Sequence, residues 1–451
     1  MFSTTDTIVA IATPPGRGGI GVVRLSGACA HEIALKLLGR ARPLAPRRAT
    51  VGEVGSDADS NDAARRRAGD QVLATYFPGP RSYTGEDVVE ISAHGSPVIL
   101  RSIIAAALEG GARLAAPGEF TLRAYLAGRI DLAQAEAVAD LIDAVTPLQA
   151  RTAFDQLQGT LTRAIAAIDG QLFDLIARLE ASVDFPDEGY HFVAPAAVAS
   201  EIGAIADRTR ALLAGARRGR FVREGLQVAI VGPPNVGKSS LFNALVGTDR
   251  AIVAEAPGTT RDMVSETVDF EGLRVTLVDT AGLRESADAV ESEGIARSRR
   301  AALAADLVLV VGDPTRPPDP ARLEVGAAAV LVANKSDLVE GGAGRRDVVR
   351  VSARTGDGLN ELRRRVMEAL DIEAVNDPPD ITNERHIGLV ERARDALWRA
   401  RAAALGDGGA LPEEFVLADL QEARAALEEV VGRRASGDLL AHVFSRFCIG
   451  K

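Results

Sequence analysis

Gly232-Pro233-Pro234-Asn235-Val236-Gly237-Lys238-Ser239-Ser240 matches the pattern G-x-x-x-x-G-K-[ST] of a phosphate-binding loop, and its flanks have the right character. Leu226 to Val231 is a short apolar run that reads as a buried strand, and Ser239 to Val246 reads as a helix. In such a strand, loop and helix, successive backbone N–H groups at the helix N-terminus wrap phosphate oxygens. Lys238 supplies a point charge to the outer phosphates, and the Ser239 hydroxyl supplies a ligand for Mg²⁺. The same letters alone can also be a Gly-rich turn, so the rest of the chain has to decide.

Working outward, the other parts of a nucleotide switch appear in order. Asp279-Thr280-Ala281-Gly282 follows the apolar run Val275–Val278; its carboxylate can hold Mg²⁺ through water, and the Gly282 N–H can sense a γ-phosphate. Gly258-Thr259-Thr260-Arg261-Asp262 lies between that run and the phosphate loop, where the Thr260 hydroxyl can complete the Mg²⁺ shell while the γ-phosphate is present. Asn334-Lys335-Ser336-Asp337 follows Val330–Ala333. A buried carboxylate at Asp337 would accept hydrogen bonds from guanine's ring N–H and exocyclic amine, donors that adenine lacks. Ser352-Ala353-Arg354 can present a backbone N–H to the guanine carbonyl. Together these stretches predict GTP binding.

Hydrolysis needs a group that aims the attacking water. Many GTPases place a Gln directly after Asp-x-x-Gly; here that position is Leu283, which cannot orient water. Arg261 and Arg284 are nearby, yet neither is an obvious arginine finger. Charge neutralisation is therefore expected from another source. The Asn235 amide oxygen can ligate a monovalent cation beside the phosphates, or the residue can simply stabilise the turn.

The chain has 451 residues, 47% of them hydrophobic, and is long enough for about three globular domains. No run of 18 apolar residues suggests a membrane span, and Met1-Phe2-Ser3-Thr4-Thr5-Asp6 lacks a signal-peptide pattern, so a cytoplasmic protein is expected. Two cysteines, Cys29 and Cys448, cannot build a disulfide framework. A net charge of −10 argues against non-specific nucleic-acid binding; any RNA partner must meet a local patch such as Arg65–Arg67, Arg217–Arg220 or Arg363–Arg365, which also read as solvated surface.

In chain order, Ile8–Ala12 and Ile20–Leu25 read as strands around a Gly/Pro loop, followed by a helical pattern at His31–Leu38. Ser56–Asp70 is polar and reads as a surface insert; Val72–Phe77 and Val88–Ser92 read as strands, and Val98–Leu108 as a helix. This is an α+β region to about residue 120. Beyond Pro117-Gly118-Glu119 the pattern is helical, with stripes at Ile130, Ala133, Ala137, Leu141, Val145, at Leu172, Leu175, Ile176, Leu179, Val183 and at Val198, Ile202, Ile205, Leu212. Pro186 is expected to stop the second of these helices. From Gly225 to about Asp371 the strands Leu226–Val231, Val275–Val278, Leu307–Val311, Val330–Ala333 and Val349–Val351 alternate with helices, the pattern of a mostly parallel α/β sheet. After Pro378-Pro379 the chain reads helical again, with Trp398, Leu417, Leu420, Leu427 and Val431 as apolar positions. The α/β unit inserted into a helical bundle is the simplest architecture; a separate C-terminal helical domain is the alternative.

Further stretches outside the nucleotide motifs carry a resemblance. They are Thr7-Ile8-Val9-Ala10, Ala12-Thr13-Pro14-Pro15-Gly16-Arg17-Gly18-Gly19, Thr84-Gly85-Glu86-Asp87-Val88-Val89-Glu90, Pro117-Gly118-Glu119-Phe120, Asp131-Leu132-Ala133-Gln134-Ala135-Glu136-Ala137, Val183-Asp184-Phe185-Pro186 and Phe447-Cys448-Ile449-Gly450-Lys451. With them the whole chain resembles the bacterial tRNA uridine-modification GTPases of the TrmE/MnmE family. The resemblance implies a multidomain α/β plus α+β protein. Its parts would be an N-terminal α+β folate-binding and dimerisation domain over 1–120 and a discontinuous helical bundle over 121–222 and 376–451. A Ras-like P-loop GTPase domain over 223–375 would be inserted between the two halves of that bundle.

The implied activity is a K⁺-dependent GTPase that works with a flavoprotein of the GidA/MnmG type. Together they would add a carboxymethylaminomethyl or aminomethyl group to C5 of the wobble uridine of certain tRNAs, using a tetrahydrofolate one-carbon unit (5-formyl or 5,10-methylene). A homodimer is implied, with a heterotetramer including the partner; FAD and NADH enter only through that partner. The resemblance makes Arg24, Glu90, Arg129 and Lys451 folate ligands, and Asn235 a K⁺ ligand with oxygens from Ala254, Ala256 and Thr259. The GTP site would comprise Asn235, Val236, Gly237, Lys238, Ser239, Ser240, Ala254, Glu255, Ala256, Pro257, Gly258, Thr259, Thr260, Asp279, Thr280, Ala281, Gly282, Asn334, Lys335, Asp337, Ser352, Ala353 and Arg354, with Ser239 and Thr260 on Mg²⁺. Glu291 would hold the catalytic water through a second water, and Cys448 would be a thiolate nucleophile or proton donor, or else an inert thiol. Two positions depart from the family pattern: Ser96 stands where Gly is usual, and Arg129 where Lys is usual. A regulatory or ribosome-assembly GTPase without modification chemistry is the rival, though the C-terminal helices offer no Gly-x-x-Gly RNA clamp.

Overall fold

The structure is a computed structural model, and it describes residues 5–55, 69–184, 194–248, 264–270, 272–279, 303–319, 328–339, 347–370, 379–406 and 413–451. In chain order the first elements are β1 (Ile8–Ile11), β2 (Gly18–Ser26), α1 (Ala30–Leu37), β3 (Thr50–Val54), β4 (Asp70–Phe77), β5 (Val88–Gly95), α2 (Pro97–Glu109), β6 (Arg113–Leu114) and α3 (Glu119–Leu126). Helices α4 (Leu132–Asp143), α5 (Pro147–Leu157), α6 (Thr160–Asp184), α7 (Pro195–Leu213) and α8 (Ala216–Glu224) follow. Then come β7 (Leu226–Val231), α9 (Lys238–Thr248), β8 (Val264–Phe270), β9 (Leu273–Asp279), β10 (Leu307–Gly312), β11 (Ala328–Ala333), β12 (Val348–Arg350) and α10 (Leu359–Ala369). The chain ends in α11 (Glu384–Ala404), α12 (Glu413–Val430) and α13 (Gly437–Ser445). By compactness it divides into one unit of residues 1–139 and 428–451 and a second of residues 140–427.

The first unit is built on a six-stranded sheet in the order β3-β4-β5-β2-β1-β6, antiparallel except where β6 joins β1. Alternation along β2 and β5 sends Val23, Leu25, Val89, Ile91 and Ala93 inward with Ile33, Leu100 and Ile103 of α1 and α2. The other face carries Arg24 and Glu90, which are paired across β2 and β5. A second cluster joins Leu122 of α3, Leu132 and Ala135 of α4, and Val443, Phe444 and Phe447 at the chain end.

The second unit holds a six-stranded sheet in the order β12-β11-β10-β7-β9-β8. β10 is buried at every position (Leu307–Gly312), the signature of a strand covered on both faces. Strand β8 is antiparallel to β9 because only residues 271–272 connect them, enough for a hairpin and too few for a crossover. In the helical part α11 packs along α7, with Val198, Ile202 and Ile205 buried on one side and Val390, Ala393 and Leu397 on the other. The Arg424 guanidinium pairs with Asp169 at 2.9 Å.

Several expectations need correction. Ile130 and Val145 were read into one stripe with Ala133, Ala137 and Leu141 but lie beyond the ends of α4. Strands β3, β6 and β8 and helix α5 were not anticipated. The start of α5 was legible, since Thr146 and Gln149 form a reciprocal capping box. Trp398 is only partly buried, at 36% exposure, with Arg401 over its ring. The expected surface insert at 56–68 and the stop at Pro186 lie outside the described residues. Among the described residues, no helix is long and apolar enough to cross a membrane.

Candidate functional site

The phosphate loop leaves β7 and enters α9 in the second unit. Gly237 sits at φ +92, and a Cβ there would lie 2.4 Å from Asn334 Nδ2, so both conformation and space require glycine. Lys238 is 9% exposed, and its ammonium donates to the carbonyls of Gly232 and Pro233, each at 2.9 Å. Burial pushes the Lys238 pKa down, and the nearby Asp279 carboxylate opposes that shift. Ser239 and Ser240 are exposed at the helix start, and Asn235 takes a left-handed φ of +68. Asp279, 4% exposed, ends β9 opposite Ile230 of β7.

The stretch Asn334–Asp337 is tied to this loop by side chains. Asn334 is 2% exposed; its Nδ2 donates to the carbonyls of Val236 (3.1 Å) and Gly237 (3.2 Å), while its Oδ1 accepts from the Ala353 N–H at 3.1 Å. Lys335 donates to the Asn235 carbonyl at 2.6 Å and to Asp313 Oδ2 at 2.8 Å. The Ser352 hydroxyl donates to Asp337 Oδ1 at 2.7 Å, which holds the Asp337 carboxyl below its usual range. The Asp337 carboxylate was expected to be buried; its side chain is 18% exposed, largely shielded but reached by solvent. Asp337 lies on the one-turn helix Ser336–Leu338 at the rim of the sheet, where the residue as a whole is exposed. Arg354 is largely exposed and stands 4.0 Å from Asp337.

In the first unit, the Arg24 guanidinium pairs with Glu90 at 2.8 Å and donates to the Gly450 carbonyl at 3.3 Å. The rings of Tyr83 and Phe120 each lie 5.7 Å from its centre. Gly450 has φ +100, and a Cβ there would lie 2.3 Å from the Ile11 carbonyl oxygen; the chain end therefore fits against β1 only as glycine. The Gly118 N–H donates to the Cys448 carbonyl at 3.4 Å, and the Cys448 thiol is free and exposed. The structure thus brings Arg24, Glu90 and the segment Cys448–Lys451 together. Arg129 is exposed, with its stem beside Gly85, and among the described residues no hydrogen bond or ion pair joins it to Arg24 or Glu90.

The first unit also holds an ionic cluster. Arg123, 2% exposed, pairs with Asp6 (2.6 Å), Glu119 (3.0 Å) and Glu86 (3.1 Å), and Arg113 pairs with Asp6 and Glu119 at 2.7 Å each. Hydrogen bonding from Arg113 holds the Asp6 carboxyl down at about 2. Burial pushes the Glu119 carboxyl up, but bonds from Arg113, the Ala116 N–H and Arg123 outweigh it.

Comparison with known proteins gives the family. The family model for the MnmE helical domain matches residues 132–448, and that for the GTP-binding protein TrmE N-terminus matches residues 7–129. The tRNA modification GTPase MnmE of Koribacter versatilis is 45% identical over 99% of each chain. The chain belongs to the MnmE/TrmE family. The MnmE of Nitrosospira multiformis is 42% identical over 100% of both chains. Among solved structures, the G domain of the T. maritima FeoB iron transporter is 31% identical, covers 32% of this chain and 98% of that one, and has a TM-score of 0.25.

Of the residues expected at the family's sites, Ala254, Glu255, Ala256, Pro257, Gly258, Thr259, Thr260, Thr280, Ala281, Gly282 and Glu291 lie outside the described residues. Sequence reading missed Asp313, Tyr83 and Phe120. Asp313 follows a strand without any motif around it, and the two aromatic rings acquire their role only by facing Arg24.

Proposed function

We propose that this MnmE-family chain is a K⁺-stimulated GTP hydrolase acting in tRNA modification. With a GidA/MnmG-type flavoprotein it adds a carboxymethylaminomethyl or aminomethyl group to C5 of the wobble uridine of certain tRNAs, drawing a one-carbon unit from a tetrahydrofolate. The observation that carries the reading is the Asn334 amide, which ties the phosphate loop to the Ala353 turn in a chain related to MnmE proteins along its full length.

The residues divide the work as follows. Lys238 holds a buried ammonium against loop carbonyls, where a phosphate oxygen would meet it with little water to screen the charge. The donor set of Ser239 hydroxyl and Asp279 carboxylate is hard and oxygen-based, which fits Mg²⁺. Ser239 and Thr260 would ligate that ion, with Asp279 acting through water; Mg²⁺ would supply neutralisation of the phosphate charge. Asn235, with Ala254, Ala256 and Thr259, would hold K⁺ in place of an arginine finger, and Glu291 would align the attacking water through a second water. Asp337 would read the guanine edge from the rim of the sheet.

In the first unit Glu90 suits the N–H donors of a pterin, whereas Arg24, Arg129 and Lys451 suit the carboxylates of a folate tail. Cys448 stands on the segment that reaches Arg24 and would act as nucleophile or proton donor. We place the folate-binding domain at 1–120, the helical domain at 121–222 and 376–451, and the GTPase domain inserted at 223–375. The protein would work as a cytoplasmic homodimer whose GTPase domains pair under K⁺ stimulation. Mass spectrometry of tRNA nucleosides from a deletion strain should show the wobble uridine unmodified, restored by the wild-type gene and not by Cys448→Ser; a fully modified uridine in the deletion strain would refute the assignment. GTP turnover should be faster in KCl than in NaCl, and Asn235→Ala should abolish the difference; equal wild-type rates in both salts end the K⁺ assignment.

A further inference from the structure

We propose that Asp313 is a positioning residue for the guanine nucleotide, acting through Lys335. The inference rests on the nucleotide reading given above. Asp313 directly follows β10 and is 6% exposed. Its two carboxylate oxygens have separate tasks. Oδ1 accepts from the Thr315 N–H (3.0 Å), the Thr315 hydroxyl (2.6 Å) and the Arg316 N–H (3.0 Å), and so closes the turn after the strand. Oδ2 faces the Lys335 ammonium at 2.8 Å. That ammonium's other partner is the Asn235 carbonyl, inside the phosphate loop.

The carboxylate thus anchors a cation that bridges the ends of two neighbouring strands to the loop. Lys335 needs such an anchor. Its backbone lies at φ +61, a left-handed conformation that is unfavourable for a non-glycine residue and persists only when its surroundings hold it. Asn334 and Asp337 flank Lys335 in the specificity stretch, so releasing its side chain loosens both the amide that grips Val236 and Gly237 and the carboxylate at the rim. Charge-assisted bonds in partly desolvated sites are among the stronger ones a protein makes. The ion pair with Lys335, with help from Thr315, holds the Asp313 carboxyl well below the usual range, so it stays charged throughout the working pH.

The division of labour between the oxygens makes a clean test possible. Asp313→Asn keeps an acceptor for the turn but turns an amide N–H₂ toward the Lys335 ammonium. Thr315→Val removes one donor to the turn and leaves the ion pair intact. Binding of a fluorescent GDP analogue and steady-state GTP turnover would be measured for the full-length wild type and both variants, with thermal melts alongside. Asp313→Asn should weaken GDP binding about 10- to 100-fold and raise KM for GTP in parallel, with kcat at saturating GTP unchanged. Thr315→Val should bind GDP as the wild type does, whatever happens to its melting temperature. Wild-type affinity in Asp313→Asn, or equal loss in both variants, overturns the positioning role while leaving the GTPase reading in place. A wild-type chain that binds no guanine nucleotide overturns both.

Discussion

The two sheets of this protein build their sites in opposite ways. In the mostly parallel sheet β12-β11-β10-β7-β9-β8 the central strands β10 and β7 are covered on both faces, so chemistry is confined to the loops beyond their carboxyl ends. Backbone groups and short contiguous motifs dominate there: Gly232 to Lys238 supply carbonyls and an ammonium within seven consecutive residues. The antiparallel sheet β3-β4-β5-β2-β1-β6 has α1 and α2 on one face and leaves Arg24 and Glu90 on the other. Its site is made of side chains from distant positions, closed by a chain end that arrives more than 400 residues after Arg24. A site made of loop backbone tolerates change around it and fails when one key group is lost; a site made of gathered side chains fails when the gathering does.

The largest effect is expected where gathering depends on buried charge. Arg123→Met would leave Glu119 and its neighbouring carboxylates without their central cation, at a cost of about 3–5 kcal/mol to the first unit. Urea denaturation should register that loss, and guanine nucleotide binding should survive it at low urea. An unchanged denaturation midpoint would mean that Arg113 alone sustains the cluster and that the two units differ less than proposed. Next comes Lys238→Ala, which should cut GTP turnover about 100-fold or more while the tetrahydrofolate binding proposed for the first unit, followed by calorimetry, holds its wild-type affinity. Parallel loss of folate binding would show that the sites do not operate as separate constructions.

Smallest is Gly450→Ala. The added Cβ would collide with the Ile11 carbonyl, pushing the chain end off β1 and removing the Gly450 carbonyl from Arg24. Tetrahydrofolate affinity should fall about tenfold, the worth of one hydrogen bond to a charged group. Calorimetry that finds no change would place the ligand away from the tail.

How much was legible in the letters follows the same contrast. The phosphate loop, Asp279 and Asn334 to Asp337 were readable because a βα-loop site keeps its groups adjacent in sequence, and strands buried on both faces announce themselves as apolar runs. Asp313 was invisible, since its meaning lies in Lys335, a residue 22 positions away just beyond the next strand. The Asp337 carboxylate was expected fully inside and is partly open to solvent, because motif spacing carries no information about depth. The edge strands β3 and β8 were missed because Gly52 and Glu266 interrupt their apolar patterns.

Local order in the chain was enough to mark out a phosphate loop, the Asn334–Asp337 stretch that packs against it and the alternation of strands and helices, because those depend on neighbouring residues and on simple periodicity. Strand order, the pairing of Arg24 with Glu90, the ring contacts of Tyr83 and Phe120, and the seating of Gly450 against Ile11 came only with the folded chain. Those features depend on register and on the closure of long loops, and short-range sequence does not encode which distant residues will meet.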